Sequence, residues 1–244
     1  MRIVVDEQGH KYWIAEDSNK EIHTQFGVLQ KEDALAAKPG STIKTHKGVK
    51  FTVLEPTFVD YFEDLRRGPA IVLLKDAGII SAYTGIGPGS KVVEAGSGTG
   101  ALTCYLANLV RPAKLYSYEK RIEFMELAKE NVTDFGLSEF VVFKNEDISK
   151  GIAEKDVDVI VLDLPEPWTV VKHAEKALKA GGFLVAYIPT INQVQRLHEE
   201  LAKSGLKAIK TSSVEEKEWK VGEATRPLSM QLCHTAFLVF SRKI

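Results

Sequence analysis

From about residue 91 onward, short apolar runs alternate with stretches in which apolar residues recur every third or fourth position. Val92-Val93, Lys114 to Glu119, Phe140 to Phe143, Val157 to Leu162 and Phe183 to Ile188 are compact, rich in β-branched or aromatic residues, and predict buried strands. Between them the spacing becomes helical. Leu102, Leu106 and Leu109 predict a helix from Ala101 to about Val110, with Pro112 just beyond as a stop. Further helices are predicted from Ile122 to Phe135, ending near Gly136, from Val170 to Leu178, and from Gln193 to Lys203, capped by Thr190 or Asn192. Such alternation implies an α/β fold around a largely parallel sheet. Two later segments, Ala208 to about Val221 and His234 to Ser241, predict a terminal β-hairpin with a long link.

Before residue 56 the pattern differs. Ile3 to Val5, Tyr12 to Ile14, Phe26 to Leu29 and Val49 to Leu54 are broken by glycine and polar residues, which predicts a small β module, barrel-like. Phe58, Tyr61, Phe62 and Leu65 then trace a short amphipathic helix joining two domains, 1–57 and 58–244. The stretch Ile71 to Tyr83 predicts an apolar segment running into a helix, with Lys75 and Asp76 near its start.

Composition narrows this picture. The 244 residues are 44% hydrophobic, enough for a sizeable core. An early acidic turn at Asp6-Glu7 argues against a signal peptide, and no apolar run nears the ~18 residues of a membrane helix. A cytoplasmic protein without membrane partner is expected. Two cysteines, Cys104 and Cys233, are too few for a disulfide framework or a zinc site, and no metal is expected. Cys104 fits a core position, while Cys233 suits either the core or a subunit contact. With 32 Lys plus Arg against 33 Asp plus Glu, any nucleic-acid site must be a local patch. Lys31, Lys38, Lys44, His46, Lys47 and Lys50 could contact phosphates or simply be solvated faces of the β module.

The chemistry concentrates at Glu94 to Thr103, where a strand ends in an acid and then in glycines at 96, 98 and 100. Their G-x-G-x-G spacing lacks both the dinucleotide fingerprint and the lysine of a phosphate loop. What remains resembles the first motif of the Rossmann-like S-adenosylmethionine methyltransferases. Glu119, ending the second strand, can accept both hydroxyl protons of a ribose or merely favour the helix dipole that follows. Asp147 and Ile148 could take an adenine, the acid receiving from its exocyclic amine; a surface turn is the other reading of Asp147. Asp163 ends the buried strand 157–162, and Leu164-Pro165-Glu166-Pro167-Trp168 follows as a rigid loop. Its acid, proline and aromatic, spaced Asp-x-Pro-x-x-Trp, are similar to the pattern of methyltransferases acting on amino or ring nitrogens.

Together Arg66-Arg67, Lys75-Asp76, Glu94 to Gly100, Tyr118-Glu119, Asp163 to Trp168, Leu184 to Pro189 with Gln193, Trp219 with Val221, Arg226-Pro227 and His234 to Phe240 resemble, in matching order, the TrmI family. These are S-adenosylmethionine-dependent tRNA adenine-N1 methyltransferases. The resemblance implies a class I methyltransferase fold, a homotetramer, and methylation of adenosine 58, with 57 an added target in some archaeal members. It implies that Gly96, Ser97, Gly98, Thr99, Gly100, Ala101, Leu102, Thr103, Glu119, Asp147 and Ile148 hold the cofactor. Asp163 would sit at both methyl donor and target base, with Pro165, Trp168, Tyr187 and His234 as candidate substrate contacts. Two stretches depart from the family pattern, Pro69-Ala70 with Leu73-Leu74, and Leu228-Ser229-Met230. A small-molecule or protein N-methyltransferase, and a non-catalytic RNA-binding paralogue, are the competing functions.

Overall fold

The computed structural model describes residues 1–244 apart from Glu16, Ser18, Arg67, Pro69, Ala70 and Cys233. The second arginine of Arg66-Arg67, the Pro69-Ala70 departure and the alternatives for Cys233 therefore lie outside the described residues. The chain divides into two units, Met1–Asp64 and Leu65–Ile244.

In the first unit, β1 (Arg2–Val5), β2 (Lys11–Ile14), β5 (Thr42–Lys44) and β6 (Lys50–Leu54) form an antiparallel sheet in the order β2-β1-β6-β5. β3 (Glu21–Thr24) and β4 (Gly27–Gln30) pair as a separate hairpin, followed by the short helix α1 (Lys31–Ala36). Val4, Ile14, Leu29, Ala34, Phe51 and Val53 close a common core. The helix expected to join the domains, α2 (Phe58–Glu63), groups with this unit rather than with the residues after it. Asp60 caps it by accepting from the Thr57 N–H at 2.8 Å. Lys11 on β2 reaches both Asp60 (2.6 Å) and Glu63 (2.8 Å). Burial works against ionised Asp60, but these bonds from Lys11 and Thr57 outweigh it and hold the carboxyl down to about 2.

The second unit begins with α3 (Leu74–Thr84), then runs β7 (Val92–Ala95), α4 (Ala101–Val110), β8 (Leu115–Tyr118), α5 (Ile122–Asp134), β9 (Val141–Lys144) and β10 (Val157–Leu162). α6 (Val171–Ala177), β11 (Leu178–Ile188), α7 (Ile191–Leu201) and β12 (Leu206–Ser213) follow, and after two short strands, β13 (Trp219–Lys220) and β14 (Arg226–Pro227), comes β15 (Phe237–Lys243). One seven-stranded sheet has the order β12-β15-β11-β10-β7-β8-β9. From β11 to β9 its strands are parallel, while β15 lies antiparallel to both β11 and β12. From β7 the chain first builds outward through β8 and β9, then returns to place β10 on the other side. That reversal opens a crevice at the carboxyl ends of β7 and β10, where sheets of this kind keep their ligands.

Boundaries differ from expectation in three places, the first at β12, which ends at Ser213 where the sequence predicts a segment to about Val221. β11 starts at Leu178, which pairs with Val157, and passes through Gly181-Gly182 with a register shift instead of turning there. A Cβ on Gly182 would lie 3.0 Å from the Val157 carbonyl oxygen, so the close approach of β10 requires glycine. The last strand starts at Phe237, leaving His234 before it. Thr190 caps α7, accepting from the Gln193 N–H. Cys104 is fully buried on α4, and burial pushes its thiol up. Among the described residues no helix is long and apolar enough to cross a membrane.

Candidate functional site

The site begins where β7 stops. Gly96 has φ +90°, and a Cβ there would fall 2.1 Å from the carbonyl oxygen of Asp163. Only glycine lets the two strand ends close in, and the Asp163 N–H completes the junction by donating to Ala95 O at 2.9 Å. Gly100 opens α4 at φ +82°, its α-carbon against Ala128 of α5, where a Cβ would be 2.9 Å from the Ala128 Cα. Beneath the loop, Glu94 is fully buried. Its Oε2 accepts from Thr103 Oγ1 and Ser117 Oγ, each at 2.7 Å, and Ser117 Oγ lies 2.6 Å from Ser97 Oγ. Oε1 has no partner among the described residues. Burial dominates the two hydroxyl bonds and pushes this carboxyl up to about 8, so at neutral pH it is mostly the uncharged acid.

Glu119, nearly buried at the end of β8, faces the loop from the other side. Its Oε2 accepts from the Gly98 N–H (3.2 Å) and its Oε1 from the Arg121 N–H (3.1 Å). Asn145 fixes the same residue by donating to its carbonyl at 2.8 Å. After β9, Asp147 Oδ1 accepts from Ser149 N–H (3.0 Å) and Oγ (2.7 Å), bonds that hold its carboxyl below the usual range even though burial opposes them. Ile148 packs beside it into the core.

Asp163 is different. Burial, and secondarily the charge of Glu119, push its carboxyl up to about 7, and no hydrogen bond to that carboxylate exists among the described residues. Ala95, Gly96, Tyr118, Glu119, Lys120, Arg121, Glu146, Asp147, Ile148, Ser149, Asp163, Leu164, Pro165, Glu166 and Thr169 border one cleft of about 320 Å³. That volume is at the lower end of the ~300–1,000 Å³ typical of small-molecule sites. A more open depression of about 740 Å³ adjoins it, sharing Lys120, Glu146 and Asp147.

Of the residues singled out from sequence, Gly96, Glu119, Asp147, Ile148, Asp163 and Pro165 thus meet at one cleft. Ser97 and Thr103 turn inward to Ser117 and Glu94, and Thr99, Ala101 and Leu102 are buried under the loop. Tyr187 stands next to Asp163, because Leu162 pairs with Ala186 in parallel register. Trp168 lies in a 3-10 turn after Pro167, one ring face covered by the Arg196 guanidinium at 4.2 Å. His234 is exposed, with Nε2 3.1 Å from the Pro189 carbonyl oxygen and its ring 4.8 Å from that of Phe237.

Sequence reading missed Asn131. Its Nδ2 donates to Thr99 O (2.7 Å) and Arg66 O (3.1 Å) while Oδ1 accepts from the Arg66 N–H, tying the glycine loop to the start of this unit. The available signal was a polar residue on the buried stripe Met125, Ala128, Val132 of α5. Lys120 and Arg121 at the cleft were also missed, since charged residues at a helix start carry no distinguishing pattern.

A doubly wound sheet with a glycine loop after its first strand, an acid ending the second, and a crevice between β7 and β10 defines a Rossmann-like methyltransferase. Residues 50–226 match the family described as tRNA methyltransferase complex GCD14 subunit, and the chain belongs to that family. It is 36% identical to the tRNA (adenine(57)-N(1)/adenine(58)-N(1))-methyltransferase TrmI of Methanocaldococcus jannaschii, over 99% of this chain and 94% of the relative. With the tRNA (adenine(58)-N(1))-methyltransferase TrmI of Thermus thermophilus it shares 34% identity, over 99% and 96% of the two chains. Among solved structures, one described as an S-adenosylmethionine-dependent O-methyltransferase from Thermotoga maritima superposes with TM-score 0.90 at 33% identity, covering 100% of this chain and 92% of the other.

Proposed function

We propose that the chain transfers the methyl group of S-adenosylmethionine to N1 of adenosine 58 in the T-loop of tRNA, with adenosine 57 open to the same chemistry. The observation that carries this reading is Asp163, a carboxylate on the cleft of the glycine loop with no hydrogen-bond partner among the described residues, in a chain of the tRNA methyltransferase family.

The donors at the cleft fit the cofactor. Each oxygen of Glu119 accepts from one backbone N–H and keeps a lone pair for a ribose hydroxyl. Asp147 commits Oδ1 to Ser149, which leaves Oδ2 for an exocyclic amine, and Ile148 adds an apolar edge. Gly96 and Gly98 offer bare backbone to the rest. When bound, the cofactor supplies a methyl group already activated on a sulfonium, so no covalent nucleophile is needed from the chain.

The protein's task is alignment. Asp163, ionised, accepts from the N6 amine of the target adenine, which turns N1 toward the methyl group and stabilises the positive charge that spreads over the ring as N1 becomes alkylated. A T-loop adenine must first leave its stack, at a cost of a few kcal/mol. Pro165, which borders the cleft, Tyr187 and Trp168 are the candidates to recover it by packing against the ring. Lys38, Lys44, His46, Lys47 and Lys50, exposed on the first unit, are candidates for phosphate contacts. A homotetramer and a cytoplasmic setting belong to the same proposal, supported by likeness to the TrmI proteins.

The test is transfer of labelled methyl to an unmodified tRNA transcript, with the product digested and mapped. Label as 1-methyladenosine in the T-loop, lost in Asp163→Ala, is expected. Label on a ribose oxygen, or none on tRNA while the cofactor binds, would overturn the assignment.

A further inference from the structure

Lys75 and Asp76 form an ion pair at the start of α3 that the methyl transfer described above does not use. Asp76 is fully buried and the Lys75 side chain is 8% exposed. Lys75 Nζ donates to Asp76 Oδ1 (2.9 Å) and Oδ2 (3.1 Å), to the carbonyl oxygen of Val214 (2.8 Å) and to Thr235 Oγ1 (2.8 Å). Thr235 Oγ1 in turn donates to Asp76 Oδ2 at 2.8 Å. The Tyr187 phenol borders the cluster, close enough to Thr235 and Asp76 for both to act on its ionisation.

Two features set this cluster apart from ordinary core packing. A buried ion pair is a poor stabiliser, because desolvating both charges consumes what their attraction returns. Its position is also specific. Val214 directly follows β12 and Thr235 stands two residues before β15, so one ammonium group grips both feet of the 214–236 excursion, and Tyr187 at the far side of the cluster is the register neighbour of Asp163.

We propose that Lys75 and Asp76 are positioning residues for the target base: through Thr235 they hold the Tyr187 phenol and both feet of the excursion in one preset arrangement beside Asp163. This rests on the reading of Asp163 and Tyr187 as the base pocket. Lys75 and Asp76 touch neither cofactor nor base, and act through Thr235 and Tyr187.

Thr235→Val removes the bridging hydroxyl while keeping its shape, and Thr235→Ser restores it. On the full chain, Thr235→Val is expected to lower kcat for tRNA methylation by roughly ten- to hundredfold. The cofactor dissociation constant should stay unchanged, the melting temperature should fall because Lys75 and Asp76 each lose a buried bond, and Thr235→Ser should recover both rate and melt. Combining Thr235→Val with Tyr187→Phe should be no worse than the weaker single variant, since both break one linkage. A readout independent of turnover is the Cζ resonance of 13C-labelled tyrosine, assigned to Tyr187 by its loss in Tyr187→Phe. It should move in Thr235→Val and return in Thr235→Ser. A wild type inactive on tRNA would overturn the functional reading, with the resonance still reporting the linkage. An active wild type whose Thr235→Val variant keeps full kcat, an unmoved resonance, or losses that multiply in the double variant would overturn the positioning role.

Discussion

The ends of β7 and β10 lie side by side and each carries an acid raised toward neutrality by burial, yet the two acids are provided for in opposite ways. Glu94 sits beneath the loop with Oε2 filled by the hydroxyls of Thr103 and Ser117. Asp163 opens on the cleft with its carboxylate unfilled among the described residues. A raised carboxyl therefore does not by itself mark a reactive group; what matters is whether the protein or a ligand satisfies its oxygens. Glu94 is held as a scaffold acid, while in the proposed function Asp163 is the acceptor that the target base would fill.

The sharpest way to break this contrast is to push the strands apart. Gly96→Ala would drive a Cβ into the Asp163 carbonyl and hold alanine at positive φ. A loss of stability above ~4 kcal/mol is expected, seen as a collapse of the thermal melt, with both acids displaced. Asp163→Ala comes next: kcat for tRNA methylation should fall by roughly 10²–10³ with the melt preserved, whereas unchanged kcat would return Asp163 to a structural role. The wild-type pH profile follows. Asp163 accepts from an amine only when ionised, so kcat/KM should climb with pH through about 7, and an acid limb near 4 would contradict the assignment.

Per pH unit the smallest effect concerns Glu94. Folded Glu94 binds its proton more tightly than in the unfolded chain, 8 against an ordinary 4.5. The stability it contributes is complete below about 4.5 and is lost as pH rises to about 8, by ~1.4 kcal/mol per pH unit at most. Glu94→Gln cannot ionise, so urea titrations should show the variant gaining on the wild type across that window and levelling off above it. A difference independent of pH would mean that Glu94 is charged in the fold.

Local order was legible in the sequence where residues that act together are adjacent. The stretch Glu94 to Thr103 combined strand, glycine turns and helix start in one run, and α4 occupies Ala101–Val110 as the leucine spacing predicts. α1 was missed because six residues, Lys31–Ala36, are too few to show a helical period. β3 was missed because Glu21, Ile22, His23 and Thr24 offer a single apolar residue to read. The cluster joining Lys75, Asp76, Tyr187, Val214 and Thr235 was invisible for another reason: its members are brought together only by closing the sheet. Asn131 was legible in principle, as a polar residue on an apolar stripe, but its partners Arg66 and Thr99 were not.

The placement of β15 has a consequence for assembly of the molecule. Strand 237–243 follows all the others in the chain yet lies inside the sheet, between β11 and β12. During synthesis β12 can have no neighbour in the finished order until those residues leave the ribosome, and the exposed edge of β11 must stay uncommitted meanwhile. The half of the sheet that carries Tyr187 is therefore the last to be completed. An emerging chain can shape the glycine-loop side early, but Tyr187 meets Thr235 only when strand 237–243 slides home.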